Sequence, residues 1–299
     1  MDVLRAETNI LVTEVNSQPD CWRRAAEVAA VGGLPEHGSR IALVGCGTSR
    51  YVAEAVASWR ESAGLGESDA FAASEMPRGR TYDFVVVISR SGTTTEILRV
   101  IEETSSPTAV LAITGSESTP VARAATHNIS LPFADEQAVV QTRFATSACA
   151  LWRAHLGHDI EHLAELGEHS LVAPLPEGLS NYRQFVFLGR GAGVGLANEA
   201  ALKLREASLS WTEAYPAMEL RHGPISMLEA HSLVWSLSEL PEGLDQEVQA
   251  SGATLEFPSP GGDPLAELVR AQRGAIALAQ AKGIDPSQPR RLARSIVLK

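Results

Sequence analysis

The apolar positions follow two alternating periods. Short continuous runs, such as Ile41–Val44 in "IALVGCGTS" and Val85–Ile88 in "VVVISRSGTTTEIL", lead into glycine-bearing turns and then into helically spaced apolar positions. Continuous runs suit strands covered on both faces. Strands alternating with helices imply a parallel sheet joined by right-handed crossovers. The pattern predicts strands near 41–45, 69–72, 84–88 and 109–113, and helices over about 49–63 and 93–104. From His155 the pattern weakens into "HLGHDIEHLAELGEHSLVAPLPEG", a linker that is partly helical. The tail "IDPSQPRRLARSIVLK" is proline-marked, basic and then apolar, and is expected to pack back onto the body.

The pattern also repeats. "IALVGCGTSRYVAEAV" from Ile41 and "FVFLGRGAGVGLANEA" from Phe185 are each an apolar strand, a glycine-rich turn and a helical segment, offset by 144 residues. The same offset carries "SEMPRG" at Ser74 onto "MELRHG" at Met218. A looser pairing joins "DFVVVIS" from Asp83 to "HSLVWSLS" from His231. Three matches in order at nearly one offset point to duplication of a βαβαβ unit.

Composition narrows the function classes. The 299 residues are 44% hydrophobic and 20% charged, as in an ordinary globular protein. No run of about 18 apolar residues occurs, so no membrane span is expected. The acidic and polar start "MDVLRAETNILVTEVNSQPD" has no basic region or apolar signal core, and a cytoplasmic protein is expected. Cys21, Cys46 and Cys149 are too few and too scattered for a disulfide framework. The net charge of −11 argues against nucleic-acid binding but leaves room for a small anion held by local donors.

Local donors cluster in the glycine turns. Parallel sheets bind ligands beyond the carboxyl ends of their strands. In "GCGTS", Gly45 and Gly47 allow a tight turn, and Thr48 or Ser49 can cap the next helix. In "SRSGTTTE", Ser89, Ser91, Thr93 and Thr94 supply hydroxyls, Gly92 lets the backbone come close, and the new helix aims free N–H groups at the loop. Phosphate suits that array; the alternative is that these residues only cap helices. Arg50 stands where a dinucleotide fingerprint needs its third glycine, and no Walker lysine follows any glycine loop.

Further along, "LANEAALKLREASLSWTEAY" places Glu199, Lys203 and Glu206 on one helix face. This is either an exposed ion-pair ladder or, since the helix follows the second glycine turn, a carboxylate set whose N-terminal part faces a crevice. Such a carboxylate can shuttle a proton between adjacent sugar carbons. His222 lies in "ELRHGP", where Gly223 and Pro224 fix a loop. His155, His158 and His162 have metal-like helical spacing, but in a linker interrupted by Gly157 and Gly167 a solvated face is the default and no metal site is expected.

Taken together, "GCGTS", "ASE", "ISRSGTTTE", "NEAALKLREAS", "AMELRHGP" and "QPRRLARSIVL" resemble the tandem sugar-isomerase (SIS) proteins. That family includes the isomerase half of glucosamine-6-phosphate synthase and glutaminase-free deaminases and ketose/aldose isomerases. The resemblance implies an α/β fold of two tandem SIS domains, each a three-layer α/β/α sandwich with a mainly parallel sheet. The expected divisions are an N-terminal helical segment over 1–24, a first domain over 25–155, a linker over 156–180, and a second domain with the tail over 181–299. It also implies a homodimer whose sugar-phosphate site is shared at the subunit interface. Ser49, Ser89, Ser91 and Thr94 would hold the 6-phosphate. Glu206 would move a proton between C1 and C2, His222 of the partner subunit would assist ring opening, and Lys203 and Glu199 would orient sugar oxygens or tune Glu206.

Several positions depart from the synthases. No glutaminase segment with a nucleophilic cysteine is found, so glutamine-dependent amide transfer is not expected. Arg294 replaces the tail lysine; a guanidinium stays protonated, so a Schiff base there is excluded while electrostatic support of a carbonyl is not. Arg90 replaces the glutamine between the loop serines and either pairs a second anionic group or flanks the phosphate. Gln141 and Arg143, in "EQAVVQTRF", replace a serine and a lysine. The resulting expectation is an amino-sugar-6-phosphate deaminase or isomerase needing no metal or redox cofactor. The alternatives are an aldose–ketose isomerase, a fructosamine-phosphate deglycase, and a non-catalytic sugar-phosphate sensor.

Overall fold

Each apolar run becomes a strand in one of two parallel sheets of a computed structural model, which describes residues 9–258 and 262–298. Two helices come first, α1 (Ile10–Asn16) and α2 (Gln18–Val31). The first unit then runs β1 (Ile41–Gly45), α3 (Thr48–Ser62), β2 (Ser68–Ala72), β3 (Phe84–Ser89), α4 (Thr95–Glu103), β4 (Ala109–Thr114), α5 (Pro120–Ala124) and β5 (His127–Ser130). Its strand order is β2-β1-β3-β4-β5, all parallel. Two more helices follow, α6 (Arg143–His155) and α7 (Ile160–Val172). The second unit runs β6 (Gln184–Gly189), α8 (Gly193–Ser208), β7 (Trp211–Pro216), β8 (Ser232–Ser236), α9 (Leu244–Ala250) and β9 (Thr254–Glu256), and α10 (Pro264–Ala281) covers it. Its order is β7-β6-β8-β9, again all parallel. The shared order is what a duplicated unit predicts.

The expected strands are found within a residue or two; for β1, β3 and β4 the reason is that continuous Val/Ile/Leu runs have no exposed face to offer, whereas β2, SDAFA, is half-buried along its length. β1 is buried throughout, and β3 and β4 are buried after their first residue. One face of each sheet contributes to a single core, with Trp22, Trp152, Phe144 and Leu151 on one side and Phe185, Phe187 and Trp235 on the other. The outer face of the first sheet packs under α4 and α5, and that of the second under α9 and the 217–228 turns. The segment expected to be a linker is mostly α7, capped by Asp159, whose side chain accepts from the His162 amide. β5 and β9 were not expected; they are four and three residues long, too short for a period to register. The expected N-terminal segment is helical from Ile10, and its first eight residues lie outside the described ones.

Helices α3 and α8 join the units, and they run antiparallel. Thr48 lies against Lys203, Tyr51 and Ala55 against Gly195, and Ser58 against Gly191. A Cβ on Gly195 would stand 2.6 Å from the Tyr51 carbonyl oxygen and 2.7 Å from the Ala55 nitrogen, so the crossing requires glycine. Asn198 donates to Glu54 at 3.1 Å, and the two are separated by 144 residues, the repeat offset itself. Equivalent positions thus meet across the helix pair, as an approximate two-fold relation between the units requires.

Candidate functional site

The first glycine turn is tight for a steric reason. A Cβ on Gly45 would overlap the Ser49 carbonyl, so only glycine lets α3 start directly over the end of β1. Gly189 meets Gly193 in the same way in the second unit. Gly47, at φ +54°, is the N-cap of α3, and no side chain caps the helix. Thr48, expected as a possible cap, has another role: its hydroxyl accepts a hydrogen bond from Lys203 Nζ at 3.0 Å.

Ser49 then faces the second turn across a cavity of about 30 Å³. Its walls are Cys46, Ser49, Ile88, Ser89, Arg90, Ser91, Thr94, Ile97, Gln141 and Arg294. Seven of the eleven residues singled out from the sequence therefore line one cavity. The Gly92 amide donates to Ser89 Oγ at 3.2 Å, and the Thr93 amide approaches Ser91 Oγ at 3.4 Å. These contacts occupy serine lone pairs and leave the hydroxyl protons to donate. Gln141 presents a buried amide oxygen with no partner. Hydroxyl donors in a small cavity can hold an anionic oxygen group, and the open amide oxygen suits a ligand hydroxyl or ammonium.

Three details differ from expectation. Gly92, at φ +60°, leaves no space for a ligand to approach: Thr119 packs where its Cβ would be, and its carbonyl accepts from Val121. The first amide of α4, on Thr95, is not free, because it donates to the carbonyl of Ile296 in the tail. The tail does lie over this turn; Ser295 also accepts from Thr93, and the Leu298 amide donates to Thr95 Oγ1. Arg90 and Arg294 reach the cavity wall, but their guanidinium groups bond to protein. Arg90 is buried against the carbonyls of Ala138, Val139 and Arg294, and Arg294 pairs with Asp135 at 2.5 Å.

The acidic helix meets this turn through its C-terminal half. The sequence pointed to the N-terminal half, but antiparallel packing on α3 reverses it. Lys203 Nζ lies 2.6 Å from Glu206 and 3.4 Å from Glu199. Burial opposes the Lys203 charge, yet the two carboxylates outweigh it and hold its pKa above the ordinary lysine value. Glu199 is fully buried, and burial pushes its carboxyl up to about 7 against the pull of Lys203. The Glu206 side chain is 20% exposed, so its carboxylate stands at the surface end of the cluster. It does not line the 30 Å³ cavity; Lys203 and Thr48 connect it to Ser49.

The histidines are dispersed. His222 is exposed at the end of the 217–222 turn, away from the cavity walls. His155 approaches the Pro35 carbonyl, His158 approaches Arg153, and His162 approaches Glu165. Cys46 was missed as a wall residue although it sits inside the glycine turn. Burial raises its thiol to about 11, which leaves it protonated and unreactive. Glu136 was missed altogether. Its carboxylate accepts from the Thr142 amide, the Thr142 hydroxyl and the Arg143 amide, starting α6 beside Gln141. No local pattern marks a loop glutamate for that role.

Comparison with known proteins fits this geometry. Residues 36–154 match the SIS domain family. The glutamine–fructose-6-phosphate aminotransferase of Leifsonia xyli is 32% identical over 167 residues, which is 46% of this chain and 27% of that protein. That of Aeropyrum pernix is 34% identical over 164 residues, 46% of this chain and 26% of the relative. The chain thus spans about a quarter of the length of the curated relatives it matches. Glucosamine-6-phosphate deaminase from Thermotoga maritima superposes with a TM-score of 0.81 at 25% identity, covering 96% of this chain and 99% of the other. Tagatose-6-phosphate ketose/aldose isomerase from Escherichia coli superposes at 0.75 over 100% and 99%, and at 18% identity shows the fold alone. Among the described residues, no helix is long and apolar enough to cross a membrane. The segment that matches the SIS domain family, 36–154, carries both serine turns.

Proposed function

We propose that the chain is a phosphosugar enzyme of two tandem SIS domains that acts on an amino-sugar 6-phosphate as a deaminase and isomerase. The observation that carries this reading is the link from cavity to carboxylate. Lys203 bonds Thr48, the neighbour of Ser49, and Glu206 together, so an anchored phosphate and a proton-transferring group occupy one connected site.

In this mechanism Ser49, Ser89, Ser91 and Thr94 grip the phosphate, and the open-chain sugar extends toward α8. Glu206 takes the C2 proton, giving an enolamine, and a proton returns to C1. The resulting C2 imine adds water and releases ammonia, leaving the ketose phosphate. Lys203 holds the carboxylate in place, and Glu199 keeps Lys203 buried beside it. His222 reaches the site from a second copy of the chain and assists ring opening. Acid–base assistance of this kind contributes about 10²–10⁴ in rate. The likeness to the Thermotoga maritima deaminase over nearly the whole of both chains supports the substrate class.

The test is incubation with glucosamine 6-phosphate, assaying ammonia and fructose 6-phosphate, with carbon NMR to distinguish deamination from simple isomerisation. Equal release of the two products is expected. No turnover on it or on a panel of hexose and hexosamine 6-phosphates would leave only the sensor reading.

A further inference from the structure

We propose that Arg90 is a positioning residue that ties the C-terminal tail and the 135–142 loop to the serine turn, and is not a ligand for the substrate's phosphate. Its side chain is 1% exposed. Nη1 donates to the Ala138 carbonyl at 2.8 Å, and Nη2 donates to the carbonyls of Val139 at 3.3 Å and Arg294 at 3.1 Å. Both terminal nitrogens are occupied and Nε alone is buried without a partner; swinging either terminal nitrogen toward an anion in the cavity would abandon buried carbonyls. The planar fork is what lets one side chain reach two chain segments at once. Glu136 lies 3.7 Å from Nη1 and balances the charge.

Those two segments supply cavity walls that the serine turn lacks. Gln141 comes from the loop and Arg294 from the tail. The tie is reciprocal: Arg294 returns its side chain to Asp135 and to the Glu136 carbonyl. The Val139 amide donates to the Ser287 carbonyl, and the Thr95 amide to that of Ile296, so the tail touches both sides of the cavity. Arg90 sits where these contacts converge, and its own carbonyl accepts from Gly115. The substrate-gripping hydroxyls and the tail are thereby set in register before any ligand arrives.

The inference rests on the phosphate-site reading only for its binding arm; tail docking is measured on ligand-free protein. Two variants discriminate, R90Q and R90K. R90K keeps a cation beside Glu136 but lacks the fork. In both, hydrogen exchange at the Val139 and Thr95 amides should accelerate by about tenfold or more. Trypsin should cut faster after Arg290, Arg291 and Arg294. Exchange within α10 should be unchanged. Affinity for glucosamine 6-phosphate should fall about tenfold in both, with kcat changed less than KM. If R90K keeps wild-type affinity and tail protection while R90Q loses affinity, Arg90 acts as a ligand cation and the proposal fails. Unchanged tail exchange in both variants overturns it, as does global unfolding of both. A wild-type chain that binds no sugar phosphate removes the function proposed above and leaves the tail measurement standing.

Discussion

At Glu206 the surroundings suit the proposed division between proton transfer and binding. The carboxylate is partly exposed and fixed by Lys203, but it forms no wall of the serine cavity. Glu206→Gln should therefore lower kcat by about 10²–10⁴ while leaving the thermal shift with glucosamine 6-phosphate intact. Equal loss of both would place Glu206 in binding instead. Glu199 makes a different prediction, about stability. Its carboxyl titrates near 7 in the folded chain against an ordinary 4.5. Between those values the folded state holds a proton that the unfolded state has released. The stability due to this group is thus fully present below about 4.5 and is lost as pH rises to about 7. Wild type should lose on the order of 1–3 kcal/mol more than Glu199→Gln between pH 5 and 8 in urea unfolding. Parallel profiles would show that Glu199 stays ionised.

Among the elements, the α3–α8 crossing brings the serine turn to the acids, and glycine sets its closeness. Gly195→Ala would place a methyl 2.6 Å from the Tyr51 carbonyl oxygen, forcing the helices apart beside the Thr48–Lys203 bond. Destabilisation of about 1–3 kcal/mol is expected, with turnover falling more than phosphate affinity. Gly47→Ala meets no atom within 4 Å but must hold φ +54°, ψ −125°, outside the left-handed helical region, costing about 1–3 kcal/mol with turnover and phosphate affinity changed alike. Urea unfolding and steady-state kinetics on the pair check both. The same crossing marks the limit of what the sequence revealed. β1, β3 and β4 were legible because continuous apolar runs encode burial on both faces locally. The serines were legible because hydroxyls crowd a glycine turn. Thr48 and Lys203 stand 155 positions apart, and no local period encodes their contact. The same applies to Arg90 and the Arg294 carbonyl, 204 positions apart. The resemblance left Arg90 either to pair a second anionic group or to flank the phosphate; the fold directs its terminal donors to carbonyls.

Across the whole molecule, His222 stands apart from the cavity of its own chain. It is exposed and absent from the cavity walls, and the turns that carry and follow it also expose Met218 and Met227, at 47% and 65%. Apolar side chains grouped around a histidine suit cover by a second copy of the chain. If that copy supplies His222, each active site draws Glu206 from one chain and His222 from the other. Two inactive variants, Glu206→Gln and His222→Ala, then complement each other. Random exchange in an equal mixture puts half the dimers in mixed form, and each mixed dimer holds one intact site and one doubly defective site. The mixture should recover about a quarter of wild-type specific activity, once subunits are exchanged by mild denaturant and dilution. A site contained within one chain gives no recovery, because every chain in the mixture carries a defect in its own site. Sedimentation of the separate variants as dimers is the control that makes the absence of recovery decisive.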